Sequence, residues 1–160
     1  MKISFVIPTF NSVTWLPMAV TSCLEQTHNN CEVVIVDDCS TDYTHQYLKF
    51  LKDNPKVKII RNEKNLGRSA SRNIGNMVAQ GDIICVLDAD DVSQKKRAEW
   101  TAGKFKEKKI DLLYGSAIAI QADDEVIREL RAETFNKTKA IESLVNNIVH
   151  STVAYTRAFS

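Results

Sequence analysis

The chain has 160 residues, a length that suits one domain with one substantial core. Hydrophobic residues make up 44% of it and charged residues 26%, which is ordinary for a soluble globular protein. The formal net charge of +1 gives no indication of a surface that binds nucleic acid or a membrane.

The first half of the chain alternates between predicted strands and helices. ISFVIP, from Ile3 to Pro8, is a short apolar run typical of a buried strand. The next helix has Pro17 in its first turn and Asn11 or Thr14 as its candidate cap. Its apolar stripe comprises Leu16, Ala19, Val20, Cys23 and Leu24. CEVVIVDD predicts a second strand, and a second helix follows Asp42 with Thr44, Tyr47, Leu48 and Leu51 on one face.

KVKII and DIICVLD predict the third and fourth strands. Between them, a helix after Gly67 is expected to end at Gly81 as a left-handed cap. We expect it to bury Ala70, Ile74, Met77 and Val78. A further helix beginning near Val92 turns Ala98, Thr101, Ala102 and Phe105 inward. The rest of the chain predicts one or two strands in DLLYGSAIAI, a turn at ADDEV, a helix at AIESLVNNI and a strand after His150.

This order predicts an α/β fold with a mainly parallel sheet and helices on both faces. The carboxyl ends of parallel strands meet at one edge, where ligands bind near the switch in strand order. Several polar side chains follow the predicted strands there. They are Thr9 and Asn11 after the first strand, Asp37, Asp38 and Ser40 after the second, Asn62 and Asn65 after the third, and Asp88, Asp90 and Asp91 after the fourth. Pro8 and Phe10, also at the end of the first strand, are placed at the same edge.

Asp88 and Asp90 are the candidate metal ligands. Carboxylates two positions apart in an extended or turn segment can point to one side, and two of them suit a hard cation such as Mg²⁺ or Mn²⁺. Capping of the next helix explains Asp91, and would also explain Asp90, but not Asp88 at the end of the strand. Asp38 is equally consistent with a turn and with a hydrogen bond to a nucleoside.

Arg68 and Arg72 lie four positions apart near a helix N-terminus, which suits a diphosphate as well as a solvated helix face. The sequence has neither the G-x-G-x-x-G nor the G-x-x-x-x-G-K-[ST] motif. His150 is a weaker candidate for a residue that lines the site. His28 and His45 lie in polar surroundings typical of surface residues.

The N-terminus has no signal-peptide pattern, and no stretch approaches the roughly 20 apolar residues of a membrane helix. The cysteines Cys23, Cys31, Cys39 and Cys85 contain no CxxC pair, so reduced thiols and a cytoplasmic location are expected.

Two phosphotransfer classes also place aspartates at strand ends. VVIVDDCSTD resembles the opening of a response-regulator receiver domain, but a full strand–helix unit precedes it here. ICVLDADDV fits the nucleophile motif of haloacid-dehalogenase-like phosphatases, but it lies on the fourth strand rather than the first.

Four motifs together resemble glycosyltransferase family 2, the inverting enzymes of the GT-A fold. They are VIPTFN, SCLEQTHNNCEVVIVDDCSTDYT, NLGRSASRNIG and GDIICVLDADD, and a weaker resemblance continues to IVHSTVAYTRAFS. The resemblance implies transfer of a sugar from a nucleotide sugar, a UDP-sugar above all, to an acceptor hydroxyl with inversion. The acceptor would be a saccharide or lipid-linked, and Mn²⁺ or Mg²⁺ would be the cofactor. A nucleotide-binding module without catalysis is the alternative.

The resemblance also implies roles for individual residues. Pro8, Thr9 and Asn11 would border the base, Asp38 would accept from the uracil, and Arg68 or Arg72 would contact base or diphosphate. Asp88 and Asp90 would form the DxD motif, with Asp88 towards ribose or metal and Asp90 on the metal.

The family's general base lies well after the DxD motif, and the late acidic cluster of this chain does not match its position. That cluster comprises Asp123, Asp124, Glu125, Glu129 and Glu133. We therefore expect a truncated GT-A domain whose base lies beyond Ser160. Residues 1–91 would bind the nucleotide sugar, and residues 92–160 would begin the acceptor half. Any association with the inner face of the membrane would come from the missing part.

Overall fold

Buried strands and amphipathic helices alternate along the first two thirds of the chain. The computed structural model describes residues 1–120, 125–131 and 150–159. In chain order the first elements are β1 (Ile3–Thr9), α1 (Leu16–Leu24), β2 (Cys31–Asp37), α2 (Thr44–Leu51), β3 (Val57–Arg61), α3 (Arg68–Val78), β4 (Ile83–Val86) and α4 (Arg97–Glu107). They are followed by β5 (Leu112–Leu113), β6 (Ala117–Ile120), β7 (Val126–Leu130) and β8 (Ala154–Thr156), with short 3-10 helices at His150–Thr152 and Arg157–Phe159.

Six strands form the central sheet in the order β3-β2-β1-β4-β8-β5. β1 pairs parallel with both β2 and β4, and β2 pairs parallel with β3. β8 runs antiparallel to both of its neighbours, β4 and β5. The mainly parallel sheet is thus confirmed, and the strand order switches between β1 and β4. β6 and β7 form a separate antiparallel pair.

The helices cover both faces of the sheet, as predicted. Alternate side chains of β1 point to opposite faces, so Ile3, Phe5 and Ile7 belong to one core cluster and Val6 to another. The first cluster includes buried residues of α1, α2 and α4, whereas Ile74 and Val78 of α3 pack against the second. The four residues expected to face inward on α4 are all buried.

The expected caps of α1 and α4 are wrong. Trp15, not Asn11 or Thr14, occupies the N-cap position of α1 and makes no side-chain capping bond. The α4 helix begins at Arg97 instead of near Val92, so neither Asp90 nor Asp91 caps it. Its Ala98 N–H donates to Gln26 Oε1 at 2.8 Å, so this donor is satisfied by a residue distant in the sequence. Pro17 does lie in the first turn of α1.

The expected buried face and end of α3 need correction. Met77 is 85% exposed, and the fully buried residues are Ser71 and Gly75. The helix ends at Val78, before Gly81, which has no left-handed backbone. Gly81 instead allows a close approach: a Cβ there would lie 2.5 Å from Ser4 Oγ and 2.6 Å from Ser4 N.

The four cysteines are free, as predicted. Cys23, Cys31 and Cys85 are buried, and burial raises the pKa of the Cys31 thiol to about 11. Burial also raises the pKa of Cys23 and of Cys85. These thiols therefore stay protonated and pack as small apolar groups.

The later part of the chain was predicted less well. β5, β6 and β8 confirm the strands expected in DLLYGSAIAI and after His150, but β7 was not predicted. The sequence VIREL has no strict apolar alternation, and most of it is exposed. Most of the predicted ADDEV turn and the whole predicted AIESLVNNI helix lie outside the described residues, as do Asp123, Asp124 and Glu133 of the acidic cluster. In the described ranges, no helix is long and apolar enough to cross a bilayer.

Candidate functional site

A cleft of about 330 Å³ lies at the carboxyl edge of the sheet, at the ends of β1 and β4. This is the position at which open α/β sheets bind ligands. Its walls come from the ends of β1, β2 and β4, the loop before α1 and the start of α3. The lining residues are Pro8, Thr9, Phe10, Ser12, Trp15, Asp38, Asn65, Gly67, Arg68, Ser71, Asp88, Ala89 and Asp90. The edge expected from the sequence is therefore the edge that carries the cleft.

The β1 side of the cleft combines apolar surface with one buried hydroxyl. Phe10 and Trp15 line the cleft and are 46% and 44% exposed. Thr9 is buried, and its Oγ1 has no hydrogen-bond partner among the described residues. An aromatic wall beside a free hydroxyl suits a planar polar group such as a nucleobase.

Asp38 holds the loop that leads into α3. Its Oδ1 accepts hydrogen bonds from Asn62 Nδ2 and Leu66 N, both at 2.8 Å, and its Oδ2 accepts one from Gly67 N at 2.8 Å. Burial by itself would raise the pKa of Asp38, but these hydrogen bonds bring it below the usual value. A hydrogen bond from the Ser71 side chain lowers the pKa further, so the carboxylate is ionised at neutral pH.

Gly67 has a backbone conformation in this loop that other residues rarely adopt. It has φ 86° and ψ 161°, a region open almost only to glycine. It directly precedes Arg68, the first residue of α3, so this turn brings the helix N-terminus to the cleft.

Asp88 lies two residues beyond Val86, the last residue of β4. Arg72 Nη2 donates to its Oδ1 at 3.1 Å. Arg68 Nη1 lies 3.9 Å from its Oδ2, too far for a hydrogen bond. Both arginines thus face the aspartate that was predicted to bind ribose or metal, but only Arg68 lines the cleft.

The donors at the cleft fit a hard divalent cation. Asp88 and Asp90 both line it and offer only oxygen atoms. No group of three or more His, Cys, Asp or Glu in the described ranges forms a complete metal cluster. A cation here would accordingly take its remaining ligands from phosphate oxygens and water, which is the usual binding mode of Mg²⁺ with phosphates.

Asp91 has a different environment from the other two aspartates. Its backbone N–H donates to the Asp88 carbonyl at 3.1 Å, which closes the turn after β4. Burial raises the pKa of its carboxyl, as do the charges of Asp90 and Asp88, although a hydrogen bond with Ser151 opposes the shift. Asp91 therefore connects this turn to the segment before β8.

The predicted site residues divide into two groups. Pro8, Thr9, Asp38, Arg68, Asp88 and Asp90 line the cleft. Asn11 does not line it: its Oδ1 accepts from Thr41 N at 2.8 Å and from Asp42 N at 3.3 Å. Arg72 lies behind Asp88 and does not line it either. The binding roles of Asn11 and Arg72 stay predictions.

His150 lies at the edge of the site. Burial lowers its pKa, and the charge of Arg72 lowers it further, whereas Asp88 raises it. His28 hydrogen-bonds to the Met1 carbonyl and His45 to the Asp42 carbonyl.

The sequence analysis missed four lining residues with polar, aromatic or special backbone character. They are Ser12, Trp15, Gly67 and Ser71. A glycine directly before a predicted helix is a signal that the sequence offered for Gly67. Trp15 and Ser71 gave no such signal, because their helical positions are compatible with either surface or core.

Comparison with known proteins gives a consistent result. The family model for Glycosyl transferase family 2 matches residues 4–160. The glycosyltransferase GlyG of Streptococcus pneumoniae is 31% identical over 115 residues, which are 71% of this chain and 38% of that protein. WcaA of Escherichia coli, a putative colanic acid biosynthesis glycosyl transferase, is 39% identical over 105 residues, which are 64% of this chain and 35% of WcaA.

Solved structures agree with the sequence matches. TarS 1-349 of S. aureus in complex with UDP-GlcNAc superimposes with a TM-score of 0.76 and 26% sequence identity, over 99% of this chain and 46% of that chain. The same protein in complex with UDP also gives a TM-score of 0.76, at 26% identity, over 99% of this chain and 47% of that chain. The chain spans 16% to 39% of the length of the curated relatives it matches, GlyG and WcaA among them. It spans less than half of the solved TarS chains. With its sheet order, its cleft and these matches, the chain belongs to glycosyl transferase family 2.

Proposed function

We propose that the chain is the donor-binding part of a glycosyltransferase that transfers a sugar from a nucleoside diphosphate sugar, with a UDP-sugar as the donor. The observation that carries the proposal is the cleft between β1 and β4, which Asp88, Asp90 and Arg68 line together. The likeness to TarS, which was solved with UDP and with UDP-GlcNAc, supports the choice of uridine.

The base would lie on the β1 side of the cleft. Phe10 and Trp15 offer flat apolar surfaces there, and Thr9 Oγ1 is free to donate or accept a hydrogen bond. The Asp38 carboxylate, which lines the cleft, would accept the imide N–H of uracil. Pro8 borders the same wall.

The diphosphate would lie between α3 and the turn after β4. Arg68 offers a guanidinium at the helix N-terminus, where free N–H groups already favour an anion. Asp88 and Asp90 would hold Mn²⁺ or Mg²⁺ against the phosphate oxygens. When bound, this cation would neutralise the charge that develops on the nucleoside diphosphate as the sugar leaves.

The acceptor and the stereochemistry belong to the same proposal. Transfer would go to a saccharide or lipid-linked hydroxyl with inversion of the sugar's configuration, and a carboxylate would act as the general base. The match to WcaA, whose name assigns it to colanic acid biosynthesis, supports a saccharide acceptor. Residues 1–91 would form the donor-binding half and residues 92–160 the beginning of the acceptor half.

Calorimetric titration with UDP, in Mn²⁺ and in EDTA, tests the proposal. We expect UDP to bind at least about tenfold more tightly in Mn²⁺, a difference of about 1.4 kcal/mol. Asp88→Ala and Asp90→Ala should each remove most of this gain, because each deletes a proposed cation ligand.

Asp53→Ala serves as the matched control, since Asp53 is an exposed aspartate in the loop after α2 and should leave the gain unchanged. Equal affinity in Mn²⁺ and EDTA would show that the metal assignment is wrong. No binding of UDP under either condition would reject the donor-binding function itself.

A further inference from the structure

The two arginines of α3 that were alternatives for the diphosphate differ sharply in their surroundings. The Arg68 side chain is 73% exposed and lines the cleft. The Arg72 side chain is 12% exposed and lies one helical turn further on, behind Asp88. Arg68 and Arg72 thus have the same side chain on the same helix, but only Arg68 is exposed to the cleft.

Arg72 forms an ion pair with Asp88. Its Nη2 lies 3.1 Å from Asp88 Oδ1, and its buried Nε has no hydrogen-bond partner among the residues described. Burial of an unpaired guanidinium is costly, so the negative charge of Asp88 is what makes this position tolerable. A guanidinium with so little exposure has little surface to offer a ligand in the cleft.

Asp88 keeps one oxygen available. Oδ1 accepts from Arg72, whereas Arg68 Nη1 lies 3.9 Å from Oδ2, too far for a hydrogen bond. A carboxylate anchored through one oxygen has fewer accessible rotamers, and the other oxygen is then held in a narrow range of positions. Residues that orient a metal ligand in this way typically contribute 10- to 100-fold to metal affinity, so the expected effect is large enough to measure.

We infer that Arg72 is a positioning residue that aims Asp88 at a divalent cation, while Arg68 is the arginine that contacts the diphosphate. The inference rests on the proposed function and assigns a different role in it to each of the two arginines. Arg72 then acts only through Asp88, and its contribution appears when the cation is present. Arg68 acts on the anionic ligand directly, with or without the cation.

The test is the ratio of UDP affinity in Mn²⁺ to UDP affinity in EDTA, measured by calorimetry for the unsubstituted protein and for variants of Arg68, Arg72 and Asp88. Arg72→Gln should lower this ratio about tenfold, because Asp88 loses its anchor. Arg68→Gln should lower the affinity about fivefold under both conditions and leave the ratio unchanged, as expected for an exposed charge contact. Arg72→Lys should restore part of the ratio, since it returns the charge without the planar fork.

Thermal melts of the variants show whether they fold. If Arg72→Gln does not fold, the Lys variant carries the test, with a ratio between those of the unsubstituted protein and of Asp88→Ala. An equal loss of affinity in Mn²⁺ and EDTA for the Arg72 variants would overturn the inference, because it would make Arg72 a direct ligand contact. Failure of the unsubstituted protein to bind UDP would reject the proposed function, and the inference with it, before any variant is compared.

Discussion

At the residue scale, Asp38 is the side chain that fixes the loop before α3. Hydrogen bonds from Asn62, Leu66 and Gly67 fix the loop before α3, and that loop brings Arg68 to the cleft. The same carboxylate lines the cleft. Asp38 can therefore hold the loop and also contact the nucleoside. Comparing a ligand that has a base with one that lacks it separates these two roles.

Asp38→Asn tests this separation. We expect the affinity for UDP to fall about tenfold, since the amide presents a donor or a weaker acceptor to the uracil imide. The affinity for free pyrophosphate should fall much less, because pyrophosphate has no base to contact Asp38. Calorimetric titrations with both ligands measure the difference.

Asn62→Ala is the matched control. Asn62 is buried and donates to the same carboxylate, but it does not line the cleft. It should lower stability and affect both ligands equally. If Asp38→Asn also weakened the two ligands equally, the carboxylate would have only its loop-holding role.

At the element scale, α3 lies unusually close to the sheet. A Cβ on Gly75 would overlap Val6 Cγ1 and lie 3.3 Å from Val36 Cγ2. Ser71, one turn earlier, is also buried and accepts a hydrogen bond from Asn62 Nδ2 at 3.0 Å. The small residues set the distance between α3 and the β1–β2 region of the sheet, and with it the position of Arg68 and Arg72 at the edge.

Gly75→Ala should therefore destabilise the protein, although alanine is the better helix former by about 1 kcal/mol. Val6 is fully buried and β-branched, so it has little freedom to move, and overpacking costs about 1–3 kcal/mol. Urea unfolding gives the change in the free energy of unfolding.

Gly103 of α4 provides the control within the same chain, because nothing lies within 4 Å of the Cβ it would gain. Gly103→Ala should stabilise the protein by up to about 1 kcal/mol through helix propensity alone. Equal stabilisation by both substitutions would show that α3 does not depend on a close approach at Gly75.

At the scale of the whole molecule, burial is concentrated in the central strands. Every residue of β1, β2 and β4 is buried, whereas β7 is almost entirely exposed. β6 pairs with β7 outside the main sheet, and Ile118 and Ile127 of this pair are 55% and 63% exposed. Local opening of the β6–β7 pair therefore exposes little additional apolar surface.

Native-state hydrogen exchange should reproduce this hierarchy. The amides of β1, β2 and β4 are expected to exchange only through global unfolding, and those of the β6–β7 pair at least about a hundredfold faster through local opening. Exchange followed by mass spectrometry of peptic fragments resolves the two regions, and α4, with one buried face, is an internal reference. Equal protection of the β6–β7 pair and β1 would contradict the prediction.

The sequence by itself determined the order of the elements through α4 and the edge at which the site lies. Continuous apolar runs predicted β1, β2 and β4, and helical spacing predicted the buried face of α4, because both patterns are local consequences of burial. Asp88 and Asp90 were recognised as candidate metal ligands for a related reason, since both come shortly after a recognisable strand.

Only the tertiary structure decided which residues meet. Met77 fits the helical spacing of a buried residue, but the closest approach of α3 to the sheet falls on Ser71 and Gly75, so Met77 is exposed. Arg68 and Arg72 are equivalent in the sequence, yet one lines the cleft and the other anchors Asp88. Hydrophobic patterning specifies burial within one element, whereas such contacts depend on the distance and rotation between elements far apart in the chain.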